Sequence, residues 1–216
     1  PLHIACEEGN LDLVKYLVQL NKIDIREIDN EGRNLLHCLC LNRSYSFSIE
    51  IAKYLISLNI IYLGAKDNNK KTDLFYACEN GKFEFFLLLQ RNYEFDYDEQ
   101  DNEGRTILHY ACSMNNIYLI QTIISLGVNT TIKDNNDSTI LHYACKNGNY
   151  DIVSFLINRE LNINDKDKKG KTPYIYALDS NDTILMKYFE SIQDIDLKKP
   201  DENSNDDNDK KNFKKS

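Results

Sequence analysis

Asp101-Asn102-Glu103-Gly104-Arg105-Thr106-Ile107-Leu108-His109-Tyr110-Ala111-Cys112 decides how the rest of the chain is read. Its first five residues are turn formers. Asp and Asn bond nearby backbone, and Gly supplies a positive φ at little cost. The next seven, Thr106 to Cys112, are mostly apolar and suit a short buried helix. After 33 residues the chain nearly repeats itself as Asp134-Asn135-Asn136-Asp137-Ser138-Thr139-Ile140-Leu141-His142-Tyr143-Ala144-Cys145.

Working outward, the same register aligns Asp29, Asp67, Asp101, Asp134 and Asp167 at steps of 38, 34, 33 and 33 residues. It also aligns His3, His37, Phe75, His109, His142 and Ile175, and the cysteines Cys6, Cys40, Cys78, Cys112 and Cys145, with Leu178 in the last copy. Gly9, Gly81, Asn115, Gly148 and Asn181 follow the short helix, and both residue types tolerate the left-handed backbone of a helix C-terminus. A second helix is predicted next, with one buried face: Leu119, Ile120 and Ile123 in one copy, and Ile152, Val153, Phe155 and Leu156 in another. Neither helix is long enough to hold alone in water. Stacking against neighbouring copies must bury their faces, which is the logic of a solenoid.

Pro1-Leu2-His3-Ile4-Ala5, Thr139-Ile140-Leu141-His142-Tyr143-Ala144 and Thr172-Pro173 resemble the Thr-Pro-Leu-His-x-Ala pattern of the ankyrin repeat, whose period is about 33 residues. The resemblance implies an all-α ankyrin-repeat solenoid of paired antiparallel helices with hairpin-like turns, about six repeats in all. The units fall at 1–28 (partial), 29–66, 67–100, 101–133, 134–166 and 167–199. Residues 200–216 are almost free of apolar side chains and read as a disordered polar tail. Three departures mark weak points. The second unit has Asn34 for Thr and Leu39 for a small Ala, and it carries about four extra residues around Arg43-Ser44-Tyr45-Ser46, between its helices. The third has Asn69-Lys70 in place of Gly and Phe75 in place of His.

Composition narrows function. The 216 residues carry a net charge of −8, the wrong sign for a nucleic-acid partner held through phosphates. No window is apolar enough for membrane insertion. Pro1 falls inside a repeat, so the chain reads as a fragment. No nucleophile elbow, phosphate-cradling Gly loop or HExxH is present, and no enzyme activity is expected. The four histidines occur once per repeat, on different helices, too far apart for zinc ligation. The cysteines lack paired spacing and suit small apolar packing positions. So many free thiols point to an intracellular, cytoplasmic location. No metal and no cofactor is called for.

The function implied by the resemblance is binding another protein, as a monomeric scaffold or adaptor, on the turn tips and the concave first-helix face. Carried residue by residue, the surface comprises Asn68, Asn69, Lys71, Glu79 and Asn80 in the third unit. It takes Asn102, Glu103, Arg105, Ser113 and Met114 in the fourth, and Asn135, Asn136, Ser138, Lys146 and Asn147 in the fifth. Tyr76, Tyr110, Tyr143 and Tyr176 share one repeat position, either as a contact stripe on that face or as packing between repeats with only wet tips. The alternative function is a regulatory arm of a larger enzyme or channel.

Overall fold

The computed structural model describes residues 1–195 except 21, 42–44, 60, 160 and 194, with the backbone alone for Tyr45, Ser46 and Phe47. The polar tail expected over 200–216 lies outside the described residues, as do Arg43 and Ser44. Two compact units are seen, Pro1–Asn135 and Asn136–Ser216.

Regular structure among the described residues is α-helical. The first unit holds α1 (Leu2–Glu7), α2 (Leu11–Gln19), α3 (Leu35–Leu41), α4 (Tyr45–Ser57), α5 (Asp73–Glu79), α6 (Phe83–Asn92), α7 (Ile107–Ser113) and α8 (Ile117–Ser125). The second holds α9 (Ile140–Lys146), α10 (Tyr150–Ile157), α11 (Pro173–Asp179) and α12 (Thr183–Glu190). Odd-numbered helices are the short inner members of each pair and even-numbered ones the outer members. In the first unit α1 packs on α3, α3 on α5 and α5 on α7, while α2 packs on α4 and α4 on α6. In the second, α9 packs on α11, and each inner helix packs on its own outer partner.

Local chemistry sets the helix ends. Thr106 and Thr139 open α7 and α9 with capping boxes whose third helical residue is the repeated histidine. Asn34 does the same service for α3, its Oδ1 accepting from the amides of Leu36 and His37 at 2.9 and 3.1 Å. Pro173 begins α11, where the missing N–H costs nothing. The expected left-handed stops are all in place: φ is 72° at Gly9, 63° at Gly81, 60° at Asn115, 69° at Gly148 and 58° at Asn181. One residue later, Asn10, Asn116, Asn149 and Asp182 cap the outer helices through their side chains.

Small side chains let the inner helices approach each other. Ala5, Ala77, Ala111 and Ala144 are fully buried, and so are Cys6, Cys40, Cys78, Cys112 and Cys145. The outer helices contribute Phe85, Phe86 and Leu89, then Leu119, Ile120 and Ile123, and in the second unit Ile152, Val153, Leu156, Leu185 and Phe189. All six cysteines are free and buried. Burial pushes the Cys6 and Cys38 thiols up to about 12, and that of Cys40 well above its ordinary value.

The second repeat differs from expectation at its insertion. Tyr45 and Ser46 are not in a connecting loop but form the start of α4, which at 13 residues is the longest helix described. Leu39 is accommodated with no exposure where Ala was expected. Its carbonyl accepts from Lys82 Nζ at 3.0 Å. In the next repeat the residue in Lys82's place is Asn116, whose side-chain amide reaches back to the Gly81 carbonyl at 3.4 Å. Both side chains therefore tie back to the preceding repeat, the longer lysine reaching a carbonyl on the inner helix itself and the asparagine one in the turn after it.

Candidate functional site: the turn row and the inner-helix edge

Each turn is organised by its aspartate. Oδ1 of Asp101 accepts from the amides of Glu103 and Arg105, both at 2.9 Å, and Oδ1 of Asp67 accepts from Asn69 and Lys71 at 2.8 and 2.7 Å. Oδ2 accepts from the tyrosine nine residues on: Tyr76 to Asp67 at 2.8 Å, Tyr110 to Asp101 at 2.7 Å and Tyr176 to Asp167 at 2.7 Å. The tyrosine row is thereby explained. Tyr76 and Tyr110 are only 6% and 4% exposed, and burial together with the aspartate bond drives both phenols far above their ordinary pKa. Their reading as a contact stripe is corrected: their rings are packing and their hydroxyls brace the turns. Tyr143 is half-buried, and Ser138, also expected on the surface, is buried.

The histidines are braces too. Nδ1 of His37, His109 and His142 accepts from the amides of Asn34, Thr106 and Thr139 at 2.9, 3.1 and 3.0 Å. An accepting Nδ1 puts the proton on Nε2, which in His142 then donates to the Lys171 carbonyl of the next repeat at 3.1 Å. His3 reaches the Arg33 carbonyl in the same way at 3.2 Å. Burial lowers His37 to about 4, so its ring is neutral at physiological pH.

Successive turns are tied by a double ladder. The amides of Asn68, Asn102 and Asn135 donate to the carbonyls of Glu31, Asn69 and Glu103 at 3.0, 3.0 and 2.8 Å. Beside it, the side-chain amides of the same residues donate to the carbonyls of Asn30, Asn68 and Asn102 at 3.1, 3.0 and 2.9 Å. In the second unit Lys168 N donates to the Asn136 carbonyl at 2.9 Å. Asn102 and Asn135, expected at the tips, are indeed exposed, but their side chains already serve this ladder.

Around Tyr110 the third and fourth turns enclose a hollow of about 110 Å³ lined by Asn69, Lys71, Asp101, Asn102, Glu103 and Arg105. Lys71 Nζ lies 4.6 Å and the Arg105 guanidinium carbon 4.7 Å from the Tyr110 ring centroid. Lys71 pairs with Glu79 at 2.9 Å, and Arg105 pairs with Glu103 at 2.8 Å and with Asp101 at 3.3 Å. The charges are matched within the hollow. It is smaller than the roughly 300 Å³ at which drug-sized ligand pockets begin.

Above this framework lie the ends of the inner helices. Asn80, Met114, Lys146 and Asn147 are exposed, as are Glu103 and Asn136 on the turns; Glu79, Arg105 and Ser113 are half-buried. The framework positions repeat, whereas the two residues after the cysteine column do not: Glu7-Glu8, Leu41-Asn42, Glu79-Asn80, Ser113-Met114, Lys146-Asn147 and, after Leu178, Asp179-Ser180.

Stacked helix pairs with stiff, laddered turns and a chemically varied edge define a repeat solenoid. Family models for ankyrin repeats match residues 2–56 (many copies), and 48–134 and 115–199 (three copies). The chain belongs to the ankyrin repeat family, whose repeats are in general protein–protein interaction modules. A search of curated proteins finds no match. Among solved structures, the chain is similar to one described as a predatory endopeptidase from Bdellovibrio bacteriovorus in complex with an immunity protein. The TM-score is 0.72 at 27% identity, covering 86% of this chain and 94% of that one. No helix among the described residues is long and apolar enough to cross a membrane.

Proposed function

We propose that this chain binds a partner protein through the turn tips and the exposed ends of its inner helices. In the first unit that surface is formed by Glu79, Asn80, Glu103, Arg105, Ser113 and Met114. Asn136, Lys146 and Asn147 play the corresponding part in the second. The observation that carries this reading is chemical variation on a constant frame. Asp, Tyr, His and Cys recur because the fold uses them, while the pair closing each inner helix changes in charge, size and polarity from repeat to repeat. Met114, 44% exposed, is the apolar member of the set, and interfaces are enriched in Met and Arg relative to the remaining surface. A row of turns already held by backbone bonds loses little conformational entropy when a partner lands, which favours affinity. The buried free thiols accord with a reducing, cytoplasmic setting.

A photo-crosslinking residue at position 114, compared with one at 118, tests this. Tyr118 on α8 is 71% exposed and lies on an outer helix. Crosslinking to a purified partner should occur from 114 and not from 118; the reverse pattern would place binding on the outer helices and refute the proposal.

A further inference from the structure

We infer that Tyr62 and residues 93–99 form a second docking surface, suited to a basic, arginine-containing segment of another protein. The inference does not rest on the turn-tip face. After α6 the backbone extends, with φ −154° and ψ 145° at Tyr93, and the chain reads Tyr93-Glu94-Phe95-Asp96-Tyr97-Asp98-Glu99. In extended backbone alternate residues share a side. The rings of Tyr93 and Phe95 meet edge to face at 4.9 Å, and those of Phe95 and Tyr97 are 6.4 Å apart. Tyr62 lies close enough to Tyr93 to raise its phenol pKa, and extends the strip. Tyr62 is 67% and Tyr93 40% exposed.

The strip has a built seat. Tyr93 lies over Gly64, where a Cβ would sit 2.8 Å from the ring. The repeats themselves supply the control. Asp96, Asn129 and Asn162 make the same turn bond to the amide two residues on, so Phe95 and Tyr97 correspond to Val128 and Thr130 in the fourth repeat and to Leu161 and Ile163 in the fifth, while the helix-end position of Tyr93 is Gly127 in the fourth. Those repeats fold without aromatic rings there, so the fold does not demand them in the third.

Charge selects the occupant. Glu94, Asp96, Asp98 and Glu99 alternate with or follow the rings, and no cation lies between Tyr93 and Gln100. Lys66 pairs with Glu99 at 2.8 Å. Asp98 Oδ1 accepts from the Asn129 amide at 2.8 Å and Asp96 Oδ1 from the Asp98 amide at 3.0 Å. Glu94 and Asp96 remain exposed. Carboxylates alone would be an ordinary solvated face. Aromatic rings placed among them add what a guanidinium uses: a flat π surface to stack on and a carboxylate to bind with two parallel N–H donors. Tyr is also among the residues that anchor protein interfaces. An anionic lipid surface would be repelled by the same carboxylates.

The test is a heteronuclear NMR titration of the whole chain with the capped peptide Gly-Arg-Gly-Arg-Gly, and with Gly-Glu-Gly-Glu-Gly as the opposite-charge probe. The arginine peptide should shift amides at Gly64 and 93–99, and the glutamate peptide should not. The triple change Tyr93→Gly, Phe95→Val, Tyr97→Thr copies the fourth repeat and should weaken binding at least threefold while leaving distant amides unmoved. Glu94→Gln with Asp96→Asn, both on exposed side chains, should weaken it and flatten its salt dependence, which keeps the test valid should the triple variant unfold. Shifts spread evenly over other acidic positions such as Glu7 and Glu8, unchanged binding in the variants, or no shift with either peptide would each overturn the inference. So would shifts at 93–99 that depend on protein concentration alone, which would assign the face to a second copy of the chain.

Discussion

Asp73 stands where an ankyrin repeat usually has proline, at the first position of α5, and it is fully buried. Its oxygens accept from the Leu74 amide at 3.0 Å and the Gly64 amide at 3.3 Å. No ion pair among the described residues includes it. Tyr93 and Cys40 are the titratable groups beside it, with Lys82 beyond Cys40 and the Lys66–Glu99 pair beyond Tyr93, and neither lysine pairs with the Asp73 carboxylate. Burial pushes the carboxyl up from 3.8 to about 7, against the opposing pull of the backbone amides. A carboxyl whose folded value is raised favours the folded state when protonated. Its contribution is therefore fully present below pH 4 and is lost as pH climbs through 7. At about 1.4 kcal/mol per pH unit, that range is worth about 4 kcal/mol. Asp73→Asn keeps the shape and an acceptor oxygen without the charge. Urea denaturation followed by circular dichroism should find the two proteins nearly equal at pH 4. The variant should be more stable by about 2 kcal/mol at pH 5.5 and by up to about 4 kcal/mol at pH 7.5. A difference that does not grow with pH, or a variant weaker than the parent at pH 7.5, would refute the assignment of a desolvated, unpaired carboxyl.

Three further outcomes are expected. Tyr110→Phe removes the hydroxyl that donates to buried Asp101, and should cost about 1–3 kcal/mol by the same urea assay, more than Tyr176→Phe, whose hydroxyl is less deeply buried. Gly104→Ala should destabilise more than Gly81→Ala, read as a larger drop in Tm. Both have positive φ, but a Cβ at Gly104 would lie 2.7 Å from the Asn135 amide nitrogen, whereas the one at Gly81 meets nothing within 4 Å. Thiol titration should find the six cysteines protected in the native protein and all reactive in denaturant, since each is buried. Rapid native labelling of several would contradict that.

The period, the helix pairing, the positive-φ stops at Gly9, Asn115 and Asn181 and the buried cysteine column were all legible in the residues alone. Each depends on local geometry or on a pattern repeated several times: a cap needs only its own first turn, and a left-handed stop needs only a residue that tolerates it. What the neighbouring repeat contributes could not be read this way. Tyr110 alone looks equally suited to a groove surface or a core; it is a brace because the turn nine residues earlier folds back and places Asp101 Oδ2 under its hydroxyl. Asn102 and Asn135 look like free tips until the carbonyls of Asn68 and Asn102 arrive beside them from the adjacent turns. Asp73 looks like a tolerated helix-opening acid until the 62–64 segment and Tyr93 close over it. The alternation Tyr93-Phe95-Tyr97 was present to be noticed, yet only ring contacts seated on Gly64 turn it into a strip. In a solenoid the chain writes each repeat locally, but which side chains remain free for a partner is decided by what the next repeat covers.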